Sequence, residues 1–178
     1  MKSLKRILVF AIVILGLTMT ACGGPGDIMA ASFMDISISS SESFGVGIKF
    51  AEDKRIEDKY VDIQVKSNKA IDNMRMWEDN SGTKYKISFK KADEWQSITV
   101  MYAEAQDKAG SEQFVKYSEV IARRIMFSSA EKVNLTFRVV GGEIVENEKK
   151  TGQMLVSTEP ISSEFTLKID TPANNLED

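Results

Sequence analysis

Histidine is absent from the 178-residue chain, and cysteine occurs once, at Cys22. Without histidine, the chain cannot form a Ser-His-Asp or Cys-His nucleophile system, or a histidine-ligated zinc or iron site. A single cysteine cannot form an intramolecular disulfide, so a folded domain must be stabilised by a packed core. Carboxylate chemistry, lysine chemistry and oxygen-ligated calcium remain, and none of them has a recognisable motif here. We therefore predict a non-enzymatic protein with no metal and no cofactor.

The N-terminus has the three parts of a secretory signal. A short basic segment, 1–6, precedes an apolar run, 7–17, which is followed by small and polar residues, 18–21. The apolar run is only about half as long as the roughly 20 residues that a membrane-spanning helix needs. An uncleaved anchor is the alternative, but the glycines around Pro25 would interrupt a helix extended through them. The pattern therefore predicts an exported protein.

The signal ends on Met19, Thr20, Ala21 and Cys22. This stretch resembles the lipobox of bacterial lipoproteins, although Met19 stands where leucine is usual. The resemblance implies that the Cys22 thiol receives a diacylglyceryl group, that cleavage occurs before Cys22, and that the new amino terminus is acylated, for example with palmitate. It also implies the extracytoplasmic face of the cell membrane, and Gly23 in place of aspartate leaves the outer membrane open in a two-membrane cell.

These boundaries divide the chain into four parts. We predict a signal peptide at 1–21, a lipidated cysteine and flexible tether at 22–32, one β-rich domain at 33–170 and a polar tail at 171–178. The signal takes with it three of the 23 basic residues and none of the 26 acidic ones, so the mature chain is more acidic than the net −3 of the whole. An acidic surface argues against nucleic acid as a partner.

Alternation of apolar and polar residues dominates the predicted domain. It predicts half-buried strands at 44–50, 61–65, 85–89, 98–102, 133–139 and 165–169. We expect an antiparallel sheet, because one face of each strand is apolar and the other polar. Turn residues at 79–82 predict a hairpin that closes with Gly82 in a left-handed conformation, and two further turns are predicted at 141–142 and 149–152.

One segment follows a helical period instead. Phe114, Tyr117, Ile121 and Ile125 recur at helical spacings, which predicts one amphipathic helix at about 111–127. With strands before and after it, this helix would cross over one face of the sheet. The predicted fold class is therefore α+β, mostly antiparallel β with one helix, and the alternative is an immunoglobulin-like β-sandwich.

Three functions are compatible with these features. The first is a membrane-anchored lipoprotein whose non-enzymatic domain contacts envelope proteins or a surface, which would require an exposed apolar patch. The second is a lipoprotein that binds a glycan, peptide or small solute in a pocket, with Trp77 and Trp95 as candidate ligand contacts. The third is a hydrolase that uses two carboxylates facing each other in a cleft.

Overall fold

The computed structural model describes residues 30–37, 43–107, 113–146, 153–173 and 176. These residues form two antiparallel sheets and one α-helix, α1 (Ile98–Ala105). The predicted α+β class, mostly antiparallel β with one helix, is confirmed. Within the described part of the chain, no helix is long and apolar enough to cross a membrane.

The first sheet has five strands. In spatial order they are β1 (Ala31–Ser37), β2 (Phe44–Phe50), β8 (Ala122–Ser129), β4 (Ile71–Glu78) and β5 (Tyr85–Phe89). Every neighbouring pair is antiparallel. The strand β8 therefore lies at the centre of this sheet, although it comes late in the chain.

The second sheet is built around one long strand. In spatial order its main strands are β10 (Gln153–Pro160), β9 (Val133–Glu146), β3 (Tyr60–Ser67) and β6 (Gln96–Ser97). The short strand β7 (Val115–Lys116) pairs with β3, and β11 (Phe165–Ile169) pairs with the first part of β9. Five of the six predicted strands are confirmed, in β2, β3, β5, β9 and β11.

The two sheets face each other across one apolar core, as a β-sandwich also requires. Phe127 of the first sheet and Phe137 of the second are fully buried, with ring centroids 5.5 Å apart. On one side the sheets meet through Phe33 and Phe165, whose rings stack at 5.7 Å. On the other side α1 packs against β3 and β5. This arrangement places the helix at the edge of the core and not across a sheet face.

The predicted position of the helix is wrong. Residues 111–127 contain β7, a short 3₁₀ turn at Tyr117–Glu119 and most of β8. Ile121, which the helical pattern assigns to the buried face, is 83% exposed. Because β8 is paired on both edges, by β2 and by β4, its strand conformation is favoured over the local helical period.

The predicted strand at 98–102 is also wrong, because these residues form most of α1. Ser97 is the N-cap: its Oγ accepts a hydrogen bond from the Val100 backbone N–H at 3.2 Å. Ala103 and Ala105 favour a helix by propensity. These two signals, a capping serine followed by alanines, indicate a helix more specifically than the short apolar alternation indicates a strand.

The turns are confirmed in part. The hairpin of β4 and β5 is present, but the backbone of Gly82 lies outside the left-handed region, so that detail is wrong. Gly141 and Gly142 do not form a turn: they lie within β9, where β3 pairs with both of them. The predicted turn at 149–152 lies outside the described residues.

Both ends of the predicted domain are tied to the sheets where the structure describes them. The strand β1 begins at Ala31, two residues before the predicted start of the domain, and the Ala30 N–H donates to the Ile161 carbonyl at 2.8 Å. In the predicted polar tail, Ala173 is buried and donates to the Ser129 carbonyl at 2.7 Å. The signal, Cys22 and the tether as far as residue 29 lie outside the described residues.

Candidate functional site

A cavity of about 200 Å³ lies between the two sheets, next to α1. Its apolar walls come from both sheets, from α1 and from the residue after the 3₁₀ turn at Tyr117–Glu119; they include Phe50, Val61, Ile63, Ile98, Val120 and Ile125. On β3, Val61 and Ile63 alternate with the polar residues Asp62 and Gln64, so the period-two pattern of this strand also lines the cavity.

A few polar side chains also line the cavity. They are Glu78, Thr99, Tyr102, Gln113 and Arg123. Glu78 ends β4 and Arg123 lies near the start of β8, and their side chains form an ion pair with 2.9 Å between Oε1 and Nη1. Both are about two-fifths exposed, so this pair contributes at most about 1 kcal/mol to stability. Its main effect on the cavity is that the two charges offset each other.

Tyr102, one of the lining residues, carries a buried hydroxyl. Its oxygen is buried and has no hydrogen-bond partner among the described residues. Burial raises the pKa of Tyr102 well above its ordinary value, and the nearby Glu78 raises the pKa further. The hydroxyl therefore remains protonated at physiological pH. A buried polar group without a partner costs roughly 1–3 kcal/mol, so native structures rarely retain one without a reason.

Local packing holds the Tyr102 ring in place. The helix α1 projects Tyr102 from the same side as Ile98, one turn earlier, and both side chains line the cavity. The Tyr85 ring of β5 packs against it edge to face, with centroids 5.4 Å apart and an interplanar angle of 90°. The hydroxyl is thus carried by a ring that two elements position.

The start of α1 is fixed by a buried carboxylate on the second sheet. Asp62 of β3 is only 3% exposed, and its Oδ1 accepts a hydrogen bond from the Ser97 hydroxyl at 2.7 Å. Its Oδ2 accepts from Gln64 Nε2 at 3.3 Å, and Gln64 Oε1 accepts from Arg138 Nε at 2.9 Å. Burial raises the pKa of Asp62 to about 7, although the hydrogen bonds from Ser97 and Gln64 and the charge of Arg138 oppose the shift.

Sequence reasoning missed both Asp62 and Tyr102. The alternation along β3 places Asp62 on the polar face of the strand, next to Gln64 and Lys66, and nothing local predicts that this face is covered at Asp62. The sequence pattern predicts a strand at Tyr102, where the structure has the helix α1. The one local signal is Ser97, which can cap the start of a helix. That helix carries Tyr102, and the Ser97 hydroxyl donates to Asp62.

The two tryptophans lie elsewhere. Trp77 of β4 is 9% exposed, lies on the outer face of the first sheet, and has Lys84 Nζ 5.0 Å from its ring centroid. Trp95 is half-buried beside the second sheet, with Lys66 Nζ at 4.5 Å and Arg138 Cζ at 4.2 Å from its ring centroid. Neither lines the cavity, so the structure does not bring the predicted ligand contacts to it.

Carboxylates near the cavity are paired with arginines. A second, polar hollow of about 370 Å³ contains Glu78, Asp79, Arg123 and Arg124. In addition to the pair at the cavity, Arg124 Nη1 lies 2.9 Å from Asp79 Oδ2. Within the described ranges, no group of three or more cysteine, aspartate or glutamate side chains could hold a metal ion. This hollow therefore offers paired charges and not two free carboxylates.

Comparison of the chain with protein families, curated proteins and solved structures finds no match. The fold class and the cavity are accordingly the observations from which a function is proposed.

Proposed function

We propose that this chain is a lipid-anchored extracytoplasmic binding protein, attached through Cys22, whose domain binds a small solute in the cavity and does not catalyse a reaction. The observation that carries the binding part is the cavity itself, with mostly apolar walls and a few polar side chains. Small-molecule sites typically have this composition: mostly apolar walls and a few polar groups that orient the ligand.

Two features favour binding over catalysis. The chain has no histidine, and the carboxylate in the cavity lining, Glu78, is paired with Arg123. General acid–base chemistry needs a group that can exchange a proton with the substrate near the working pH. A carboxylate whose charge is offset by a guanidinium is poorly suited to that role, and the Tyr102 hydroxyl, with its raised pKa, is a poor base.

The anchor is supported by the sequence of the signal. The basic segment and the apolar run are followed by small and polar residues, which lead into the lipobox-like residues 19–22. Seven residues lie between Cys22 and Ala30, where the described domain starts, and the eight steps from Cys22 to Ala30 can extend over at most about 28 Å. A lipid at Cys22 would therefore hold the domain close to the bilayer surface, within reach of solutes at that surface.

The anchor is tested by Cys22→Ser in the cell that produces the protein. We expect the variant to incorporate no labelled fatty acid and to leave the membrane fraction, because serine has no thiol to receive the diacylglyceryl group. Thr18→Ser, just before the lipobox, is the matched control and should keep both the label and the membrane association. Undiminished labelling of Cys22→Ser would refute the anchor.

The cavity is tested by filling it. In Val120→Phe, the larger side chain occupies part of the cavity, whereas Val145→Phe adds the same ring at a site 38% exposed and outside the cavity lining. Small aromatic probes are added to the full-length chain in lipid nanodiscs, and contact is measured by saturation-transfer NMR. We expect transfer with the wild type and with Val145→Phe, and loss with Val120→Phe. Equal transfer in all three would refute this site.

A second candidate function is contact with a protein or surface. Beyond Gly142 the strand β9 no longer pairs with β3, but it continues to pair with β10, from Glu143↔Val156 to Glu146↔Gln153. This two-stranded ribbon carries Val145 on β9, whose side chain is 38% exposed and accessible to a partner. Crosslinking in cells should lose a specific adduct in Val145→Ser but not in Met34→Ser, which changes an exposed apolar residue on β1. Identical adducts in both variants would reject this candidate.

A further inference from the structure

We propose that the outer face of the first sheet rests on the bilayer that holds the anchor and binds its anionic lipid headgroups. The partner is a lipid surface, and the site is separate from the cavity between the sheets. This inference rests on the proposed anchor at Cys22, because the anchor brings the sheet to the bilayer. It is carried by the charges on this face, by its shape and by its connection to the tether.

The outer face of the first sheet carries basic residues. Strand pairing places Lys49 of β2, Arg124 of β8 and Lys86 of β5 on the side opposite the core. Lys84 lies just before β5, with its Nζ 5.0 Å from the Trp77 ring centroid on the same side. Where the described strands of this sheet pair regularly, their outer side carries no aspartate or glutamate. Lys49, Lys84, Lys86 and Arg124, all exposed, therefore form a basic face.

Most of the charge on the basic face is not neutralised by the protein. Arg124 Nη1 lies 2.9 Å from Asp79 Oδ2, so this charge is offset. Lys49, Lys84 and Lys86 form no ion pair with a described residue. Three lysines are thus available to bind anionic headgroups.

The rest of the chain does not share this excess of positive charge. The whole chain has a net charge of −3. Beside the second sheet, Lys66 Nζ lies 3.7 Å from Glu164 Oε2, and Lys59 Nζ lies 3.9 Å from Glu159 Oε2. An anionic bilayer therefore repels the chain as a whole and attracts the basic face, so charge determines which side of the domain turns towards the membrane.

Two glycines keep the basic face low. The Met34 side chain lies across Gly47 so closely that an added Cβ would be 2.7 Å from Met34 Cγ, and Met126 lies across Gly45 in the same way. Met126 is fully buried, whereas Met34 is 52% exposed. An exposed apolar side chain beside lysines is suited to the boundary between headgroups and acyl chains. The face can therefore approach a flat bilayer closely.

The tether leads directly to this sheet. The strand β1, which carries Met34, is the edge strand of the first sheet and begins at Ala31. The chain from Cys22 to Ala30 can extend over at most about 28 Å. A lipid at Cys22 therefore holds this edge of the sheet near the bilayer, where the basic face can reach the headgroups.

The experiment measures which face of the lipidated protein touches the bilayer. Cys22 is the chain's only cysteine and its thiol carries the lipid, so an added cysteine is a unique site for an environment-sensitive fluorophore such as NBD. Ser32→Cys places the label on β1, on the outer face beside Lys49, and Thr166→Cys places it at an exposed site on the second sheet. Each protein is inserted into nanodiscs of phosphatidylcholine alone, or of phosphatidylcholine mixed with anionic phosphatidylglycerol.

The role of charge is tested in the Ser32→Cys protein. One set of variants combines Lys49→Gln, Lys84→Gln and Lys86→Gln. The matched control combines Lys54→Gln, Lys132→Gln and Lys168→Gln, which removes the same charge from exposed lysines elsewhere. Urea denaturation checks that both triple variants are as stable as the parent.

We expect the emission of the Ser32→Cys label to shift to the blue in the anionic nanodiscs and not in phosphatidylcholine alone. Each lysine near an anionic surface favours contact roughly fivefold, so the first triple variant should nearly abolish the shift, whereas the control triple retains it. The Thr166→Cys label should not shift in either nanodisc.

Two outcomes would overturn the inference and leave the anchor intact. One is a lipidated protein whose Ser32→Cys label does not shift, or shifts equally without anionic lipid. The other is a shift that Thr166→Cys shares or that both triple variants retain. Labelling of the wild-type chain, which has no added cysteine, would instead show a free thiol at Cys22 and would overturn the proposed anchor itself.

Discussion

Replacing Asp62 by asparagine should remove most of the pH dependence of stability between about pH 4 and about pH 7. The Asp62 carboxyl is 3% exposed, and burial raises its pKa from 3.8 to about 7. Asparagine has nearly the same shape and retains an oxygen that can accept the hydrogen bond from Ser97. The substitution therefore removes the ionisable group while changing the packing little.

Whether stability rises or falls with pH follows from the direction of the Asp62 pKa shift. Below pH 3.8 the carboxyl is protonated in both the folded and the unfolded chain, so it makes no difference between them. Between pH 3.8 and about 7 the unfolded chain releases the proton and the folded chain retains it, so stability falls as the pH rises. At 1.36 kcal/mol for each pKa unit, the total loss approaches about 4 kcal/mol, a large part of the stability of an ordinary domain.

The assay is urea denaturation at a series of pH values across this window, with Asp58→Asn, at an exposed carboxyl, as the matched control. Wild type and Asp58→Asn should lose stability as the pH rises, and Asp62→Asn should change little. Asp53 does not interfere, because its hydrogen bonds with Arg55 lower its pKa to about 2, and the stability it contributes is lost only as the pH falls from 3.8 towards 2. A wild-type stability that stays constant from pH 4 to pH 7, or an unchanged slope in Asp62→Asn, would refute the burial argument.

Two further predictions concern local packing and are measured by the same denaturation assay. Ser97→Ala should lower the free energy of unfolding by about 1 kcal/mol, because it removes the N-cap of α1 and one of the hydrogen-bond donors to Asp62. The control is Ser118→Ala, at an exposed serine. An equal loss in both variants would contradict the role of Ser97. Gly45→Ala should cost roughly 1–3 kcal/mol of stability, because the added Cβ would lie 2.7 Å from Sδ of the fully buried Met126. The control is Gly82→Ala, where an added Cβ meets nothing within 4 Å. An unchanged stability of Gly45→Ala would mean that Met126 can move aside.

Much of the sheet architecture could be predicted from sequence because strand alternation is a local signal. In β9 the residues Val133, Leu135, Phe137 and Val139 face the core, and the polar residues between them do not, so the pattern is visible without any knowledge of partners. The hairpin of β4 and β5 was predictable for the same reason, since its turn lies within a few residues of both strands.

Elements whose conformation depends on distant partners could not be assigned in this way. The segment 111–127 carries a helical spacing of apolar residues, but residues 122–127 belong to the central strand of a sheet, because β2 and β4, far away in sequence, pair with both edges of β8. The local sequence around Gly141 and Gly142 is typical of a turn, but pairing with β3 holds both residues in a strand. Local periodicity contains no information on such pairings.

The candidate site depends on the same non-local features. The cavity forms where α1, β3, β4 and β8 meet, and these elements are spread along the chain from Tyr60 to Ser129. Tyr102 and Glu78 have no motif around them, so their roles follow from the packing of the two sheets and not from spacing in the sequence. The two tryptophans are candidate ligand contacts by residue type alone, but they pack against lysine and arginine side chains outside the cavity.

The most direct test of the cavity as a binding site is a crystal structure of the protein with acetophenone. The account predicts that the ring of this small aromatic compound lies between Ile63, Ile98 and Ile125. The ion pair of Glu78 and Arg123 should remain intact. An empty cavity, with acetophenone bound instead at Trp77 or Trp95, would contradict the account.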